Sequence, residues 1–371
     1  MTHNTWMLPE GIDEAGPDEA FQIEQLRRRC LDQMQGWGYR LIMPPMAEFT
    51  DVLLTGVGAD LDLQTLKVTD QLSGRQLGIR ADMTPQAARM DARQGNGINR
   101  LCYCGSTLQA RPDQPGDSRA PIQVGAELFG HADLAADLEV IRLLLELTES
   151  LQLPERTLDV GHVAVFAEVM SQVPPRCRRE VEQALSTKDA TLLTQAELPA
   201  PIHAQAMALI LCHGGVDCLS DLRQAFPTLT AVFDACEQLA GAVNDACTIH
   251  FDFAEGRGAH YHTGMVFSLY AKDEPSALAR GGRYDAIGAS FGTARPATGF
   301  SADLRLWQRY QPAMAAQTPI LAPNDPDPAL KRKVAELRAA GEIIMTDLSD
   351  SAEPGRRRLV KQNHQWTIEN T

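Results

Sequence analysis

The sequence has no long hydrophobic run; apolar stretches such as LILC at 209–212 fall far short of the roughly 20 residues that cross a bilayer. Its opening, MTHNTWMLPEG, lacks the basic patch and apolar stretch of a secretory signal. No membrane role is therefore expected, and the cytoplasm is the expected location. The eight cysteines, at 30, 102, 104, 177, 212, 218, 236 and 247, include no CxxC pair. Cys102 and Cys104 would share one face of a strand, and read as two small buried residues rather than as ligands. Positive charge is also scarce. Against 48 Asp and Glu there are 34 Lys and Arg, a net charge of −14, whereas nucleic-acid binding depends on Lys and Arg neutralising phosphates. Internal repeats and low-complexity segments are absent.

What is present is an ordinary globular composition, 44% apolar and 22% charged over 371 residues, enough for one large domain and a smaller one. Ile23, Leu26, Cys30 and Met34 recur at helical spacing, predicting a helix from Pro17 to about Gln35 that Gly36 and Gly38 end. A strand at 40–43 stops at Pro44-Pro45. A hairpin follows, 66–70 and 76–80 about a Ser73-Gly74 turn. Thr84-Pro85 reads as an N-cap with proline at the first helical position, opening a helix to about Arg93. Strands at 100–108 and 121–129 flank a polar loop, 111–119. A helix from Asp133 carries Leu134, Leu138, Ile141 and Leu145, and 163–245 reads as short helices. Strands return at 247–253 and 261–271, then RGGRYD (280–285) and an amphipathic stretch near 299–310. Strands joined by tight turns on both sides of a helical block predict an α+β domain with a largely antiparallel sheet. After a break at 312–318 come a strand, a helix at 328–340 and a second strand. The domains expected are 1–317, with a helical insertion at about 163–245, and a small α/β unit at 318–371.

Several segments between residues 38 and 305 resemble class II aminoacyl-tRNA synthetases, the histidine enzyme in particular. GYRLIMPPMAE (38–48) is similar to the first class II motif, which builds the dimer interface of that family. LGIRADMTPQAAR (77–89) resembles the strand and turn that present an acid and a threonine to the substrate amino group. YCGSTLQARPDQPGDSRAPIQVGAELFG (103–130) resembles the second motif with its QxGxE ending. GRGAHYHTGMVF (256–267) resembles the histidine signature, and GGRYDAIGASFG with RPATGFSADLR (281–305) the third motif. The resemblance implies a class II synthetase-like antiparallel sheet flanked by helices.

The departures from that pattern fall on one half of the implied cleft. Where the synthetases carry an arginine on the ATP α-phosphate and a glutamate two residues on, this chain has Gln109 and Arg111. Where an arginine stacks on adenine it has Leu306, with Arg305 one step away. A preorganised cation contributes about 3–4 kcal/mol to such a phosphoryl transition state, and an amide offers neither charge nor a bidentate fork. ATP activation is therefore not expected. The amino-acid half is better kept. Asp82 and Glu127 are acceptors for an ammonium, Thr84 adds a hydroxyl, and Gln123 lies four residues before Glu127 on the same strand face. By the resemblance, Glu127 and Tyr284 contact an imidazole, Arg257 pairs with the ligand carboxylate and Tyr261 matches the signature. His260 and His262 replace an aspartate and a tyrosine of that signature. Their spacing mimics a metal pair, but with no third ligand at usable spacing no metal is expected, nor any cofactor.

Blander roles exist for each: Asp82 as a helix cap, Glu127 and Gln123 as a buried pair, Arg257 and Arg356–Arg358 as solvated turns, Tyr284 as core. The tail after the break is about half the length of the anticodon-binding domain of the synthetases, so tRNA reading is not expected. A synthetase-like core without its ATP cations, with a histidine pocket and a short tail, resembles the regulatory subunits of short-form ATP phosphoribosyltransferase; LPEGIDE, DVGHVAVF (159–166) and VKQNHQW fit that family too. This resemblance implies a non-catalytic dimer that joins the short catalytic subunit in a hetero-oligomer, activates it, and transmits feedback inhibition by free histidine. The rival expectation is a divergent histidyl-tRNA synthetase in which Arg111 or Arg305 has taken over the phosphate contact.

Overall fold

A computed structural model describes residues 7–56, 58–112, 117–153, 155–256, 261–313, 318–348 and 357–370. The chain divides into two units, Met1–Gln311 and Pro312–Thr371. In the first, the elements run α1 (Pro17–Gly36), β1 (Arg40–Leu41), β2 (Ala47–Phe49), α2 (Thr50–Leu53), α3 (Ala59–Gln64), β3 (Lys67–Thr69), β4 (Gln76–Ile79), α4 (Thr84–Gln94), β5 (Asn99–Ser106), β6 (Ile122–Phe129), α5 (Leu134–Ser150) and β7 (Arg156–His162). The helical block follows as α6 (Val163–Gln172), α7 (Arg178–Thr187), α8 (Ala190–Gln195), α9 (Ala200–Leu211), α10 (Cys218–Ala225) and α11 (Thr230–Val243). The chain then re-enters the sheet with β8 (Thr248–Phe251), β9 (Met265–Ala271), β10 (Ala279–Arg283) and β11 (Ala297–Asp303), and closes on α12 (Leu304–Gln308).

Eight strands form one sheet in the order β1-β5-β6-β11-β10-β9-β7-β8. Its interior pairs are antiparallel, and the two edge pairs, β1 with β5 and β7 with β8, are parallel. Side chains alternate across a strand, and here the alternation divides two jobs. Cys102, Val124, Ala126, Leu128, Phe300 and Ala302 face the large core shared with α1 and α5. Leu101, Tyr103, Phe129 and Ala297 belong to a second buried cluster with Met83, Ala87 and Ala88 around α4. The β2–β4–β3 sheet is tied to α4 by Glu48, which accepts from Gln86 and pairs with Arg89.

Several expectations are corrected. Thr84 is inside α4 rather than its cap: the preceding Met83 is already in αR conformation with no side-chain cap, and Thr84 donates both N–H and hydroxyl to Asp82 Oδ1. The strand expected over 261–271 begins at Met265, so His262 precedes it; His260 lies outside the described residues. The stretch near 299–310 is first a buried strand, β11, and then helical from Leu304. Gly125 and Gly299 leave no gap in the periodicity because each admits a neighbour. A Cβ at Gly125 would stand 2.5 Å from Tyr103 Oη, and one at Gly299 would overlap Glu127 Oε2.

The second unit contains β12 (Ile320–Pro323), α13 (Pro328–Ala339), β13 (Ile344–Asp347), β14 (Arg357–Gln362) and β15 (Gln365–Asn370), in the sheet order β13-β12-β14-β15. Ile320, Leu330, Ile344, Leu359 and Trp366 form its core. The arginines read as a solvated turn are instead strand residues: Arg357 pairs with Glu342 and Arg358 with Asp347, while Arg356 lies outside the described residues. Among the described residues no helix is long and apolar enough to cross a membrane.

Candidate ligand site

The antiparallel register sets the site. Across β5 and β6, Leu101 faces Glu127, Tyr103 faces Gly125 and Gly105 faces Gln123; across β6 and β11, Gly299 faces Glu127 and Ser301 faces Gly125. Gln123, Gly125 and Glu127 thus point to one side, onto a floor kept low by glycine and serine. Over it stands the start of α4, which brings in Asp82 and Thr84.

One hydrogen-bond chain joins these groups. Gln123 accepts from the Met83 N–H at 2.9 Å and donates to Asp82 Oδ1 at 2.6 Å. Thr84 Oγ1 lies 3.0 Å from Tyr103 Oη. Tyr103 donates to Glu127 Oε1 at 2.8 Å, and Tyr284 donates to the other oxygen, Oε2. Glu127 is buried, and desolvation raises its carboxyl to about 8 although both phenols pull it down. Burial and the neighbouring Glu127 push both phenols up in turn. Tyr284 is held in place by its flanks: Arg283 pairs with the buried Asp137 at 2.8 Å, and Asp285 accepts the Ala297 N–H. Tyr261 stacks on Tyr284 with ring centroids 5.3 Å apart, and its hydroxyl is buried without a hydrogen-bond partner among the described residues. Such an orphan is uncommon in a satisfied core.

Asp82, Thr84, Glu127, Tyr261 and Tyr284 line one cavity of about 210 Å³, together with His262, Arg280 and Ser301. Gln123 stands behind it, holding Asp82. Arg257 lies outside the described residues. Of the blander roles, Asp82 does accept the Thr84 N–H though it is not the residue at the N-cap position; the Glu127–Gln123 pair is not formed, because each has other partners. Tyr103 is the member the sequence reading missed. Its signal was the glycine opposite it in QVGAE, which makes sense only if a large side chain crosses from the next strand.

A second cavity, about 460 Å³, adjoins the first along Arg280 and Ser301. Gln109 and Leu306 line it, the two positions at which the class II resemblance implies arginines. Asp13, Glu14, Glu19, Asp117 and Asp303 outnumber Arg280, Arg305 and Arg309 on its walls. Arg305, one of the two arginines offered by the rival reading, is engaged by the Asp13 carbonyl and by Glu19 at 3.7 Å. Arg119 ties the loop beneath to the N-terminal segment through the carbonyls of Glu10 and Gln109.

A sheet of this order with an acid-and-tyrosine pocket on one face is the class II histidyl-tRNA synthetase fold. The family model described as histidyl-tRNA synthetase matches residues 11–306. The crystal structure of a histidyl-tRNA synthetase from Nostoc sp. PCC 7120 is similar with a TM-score of 0.75 at 18% identity, covering 94% of this chain and 87% of that one. A structure from Bacillus halodurans, of an ATP phosphoribosyltransferase regulatory subunit/histidyl-tRNA synthetase, is similar with a TM-score of 0.81 at 24% identity over 94% of both chains. The remaining residues decide between the two names. Residues 317–369 match the family described as ATP phosphoribosyltransferase subunit HisZ C-terminal domain. The ATP phosphoribosyltransferase regulatory subunits of Ralstonia pickettii and Thioalkalivibrio sulfidiphilus are each 44% identical, covering 98% of this chain and 97% and 98% of theirs. The chain belongs to the family of ATP phosphoribosyltransferase regulatory subunits.

Proposed function

We propose that this chain binds free histidine in the 210 Å³ cavity and, as a dimer within a hetero-oligomer, activates a short catalytic subunit of ATP phosphoribosyltransferase while conveying inhibition by histidine, the end product of that biosynthesis. The observation that carries this reading is Glu127, a buried carboxyl gripped by two phenols at the bottom of a cavity that Asp82 and Thr84 overlook. The cavity is smaller than the roughly 300–1,000 Å³ usual for larger ligands, which suits a single amino acid. Glu127 and Tyr284 offer hydrogen bonds to an imidazole, and Asp82 offers a carboxylate to the ammonium. The larger cavity argues against ATP activation by this chain: its walls carry more carboxylates than guanidiniums, and Arg305 is already engaged. Catalysis then belongs to the partner.

Regulation follows from linkage. If histidine binds more tightly to a less active arrangement of the complex, it shifts the population toward that arrangement; a differential of roughly 1–3 kcal/mol suffices. The test is to mix this chain with a short catalytic subunit and measure phosphoribosyl transfer with and without histidine. Activation on mixing and inhibition by histidine are expected. If neither the rate nor its histidine sensitivity changes, the reading is wrong. Histidine-dependent exchange of pyrophosphate into ATP by the chain alone would establish the synthetase reading instead.

A further inference from the structure

We propose, independently of the histidine reading above, that residues 9–16, which lead into α1, form an autoinhibitory strap that closes the larger cavity to anionic ligands. The strap is shaped by its own sequence. The Ile12 N–H donates to the Pro9 carbonyl at 3.1 Å, closing a tight turn. Within that turn Gly11 has a φ of 70°, in the left-handed region that favours glycine. Gly11 is also where the strap crosses the loop between β5 and β6. A Cβ there would stand 2.9 Å from Arg119 Cγ, so a larger residue would have to push Arg119 aside.

The anchors lie on both sides of the crossing. On one side the Arg119 N–H donates to the Gly11 carbonyl at 2.6 Å, and Arg119 Nη1 to the Glu10 carbonyl at 3.2 Å. On the other, Arg305 Nη2 donates to the Asp13 carbonyl at 3.3 Å. Ala15 then packs against the large core. Seated in this way, the strap acts on the cavity twice. It engages the guanidiniums of Arg119 and Arg305 with main-chain carbonyls, and it sets Asp13 and Glu14 on the cavity wall beside Glu19. An entering anion meets those carboxylates, and like charges brought together are disfavoured. The strap is also releasable. Residues 7–10, 13 and 14 are exposed, and a segment with few buried contacts opens at low cost. Its release would free both arginines and withdraw Asp13 and Glu14 from the wall.

The probe is inorganic tripolyphosphate, titrated calorimetrically into the full chain at one low salt concentration, since salt screens exposed charges. The wild-type chain is expected to bind it weakly. Asp13→Asn combined with Glu14→Gln keeps the carbonyl anchors and removes the charge, and affinity should rise by about tenfold or more. Glu149→Gln combined with Glu182→Gln makes the same change in net charge at exposed acids that do not line the cavity. That control pair should stay within about twofold of the wild type. Gly11→Val should unseat the strap, matching the gain of the first pair and speeding hydrogen exchange at the Ile12 and Arg119 amides. An Arg119 amide that exchanges as freely in the wild type as in Gly11→Val overturns the strap. An Asp13, Glu14 pair variant that binds no tighter than the control pair overturns its role against anions. Thermal unfolding checks that each variant folds; should Gly11→Val fail, the comparison of the two pairs decides alone.

Discussion

The two cavities lie side by side on one sheet face and share Arg280 and Ser301, yet they are furnished in opposite ways. In the smaller, both carboxyl groups are fixed by neutral donors: Gln123 and Thr84 on Asp82, Tyr103 and Tyr284 on Glu127. In the larger, carboxylates crowd the walls and Arg305 is engaged by the chain itself. The fold is common to this chain and to synthetases that activate histidine with ATP. On the proposed reading, the difference between the cavities is how a scaffold keeps one ligand and loses another through a few side chains, with the sheet unchanged.

Breaking the better-kept cavity should have the largest effect. Glu127→Ala removes the acceptor of two phenols and, on the proposed reading, a partner of the ligand imidazole. Histidine affinity measured by calorimetry should fall by about 10–100-fold, as when a buried hydrogen-bonding group is removed and its partners are left unsatisfied, with assembly onto the catalytic subunit unchanged. Gly299→Ala comes next. Its methyl group would overlap Glu127 Oε2, and the Ala126 carbonyl lies close behind, so destabilisation by about 1–3 kcal/mol should appear in denaturant unfolding together with weaker histidine binding.

A pH series sharpens the same point. Desolvation raises the Glu127 carboxyl to about 8 from an ordinary 4.5, so the folded chain keeps this proton after the unfolded chain has lost it. Its burial is free of penalty below about pH 4.5 and weakens the fold progressively up to about pH 8, beyond which the penalty is constant. Thermal unfolding from pH 5 to pH 9 should therefore show Glu127→Gln gaining on the wild type as pH rises; a constant difference would mean the carboxylate is already ionised. In the larger cavity, Gln109→Arg should raise ATP affinity by about tenfold at most against the surrounding acids, with no pyrophosphate exchange. The smallest effect belongs to Arg305→Ala, whose partly exposed pair with Glu19 should be worth under about 1 kcal/mol in unfolding.

Much of the fold was legible because its segments obey local rules. The α1 stripe, the β3–β4 hairpin and the β5–β6 pair stand close to where periodicity and turn residues put them. Others were not, β7 and the β14–β15 hairpin among them. β7 was unread because it alternates imperfectly; the consecutive Val160 and Gly161 are both buried, with β8 and β9 on its two sides. The β14–β15 hairpin turns on Asn363 and His364, both at positive φ (47° and 64°). Asn-Gly is the usual signal for such a turn, and histidine in that place hides it. In the site, acids and hydroxyls near sequence motifs were readable one by one. Tyr103 was not, because its role depends on which residue of the neighbouring strand it crosses, and register is a property of the pair rather than of either segment.

Arg283 and Tyr284 are neighbours in sequence but report to opposite layers. The guanidinium reaches through the sheet to Asp137 on α5, and the phenol reaches the ligand side. A sliding or tilting of α5 would thus be delivered to the smaller cavity through a single peptide unit. Asp137 lines no part of that cavity, yet through Arg283 it anchors the residue next to the phenol that holds Glu127.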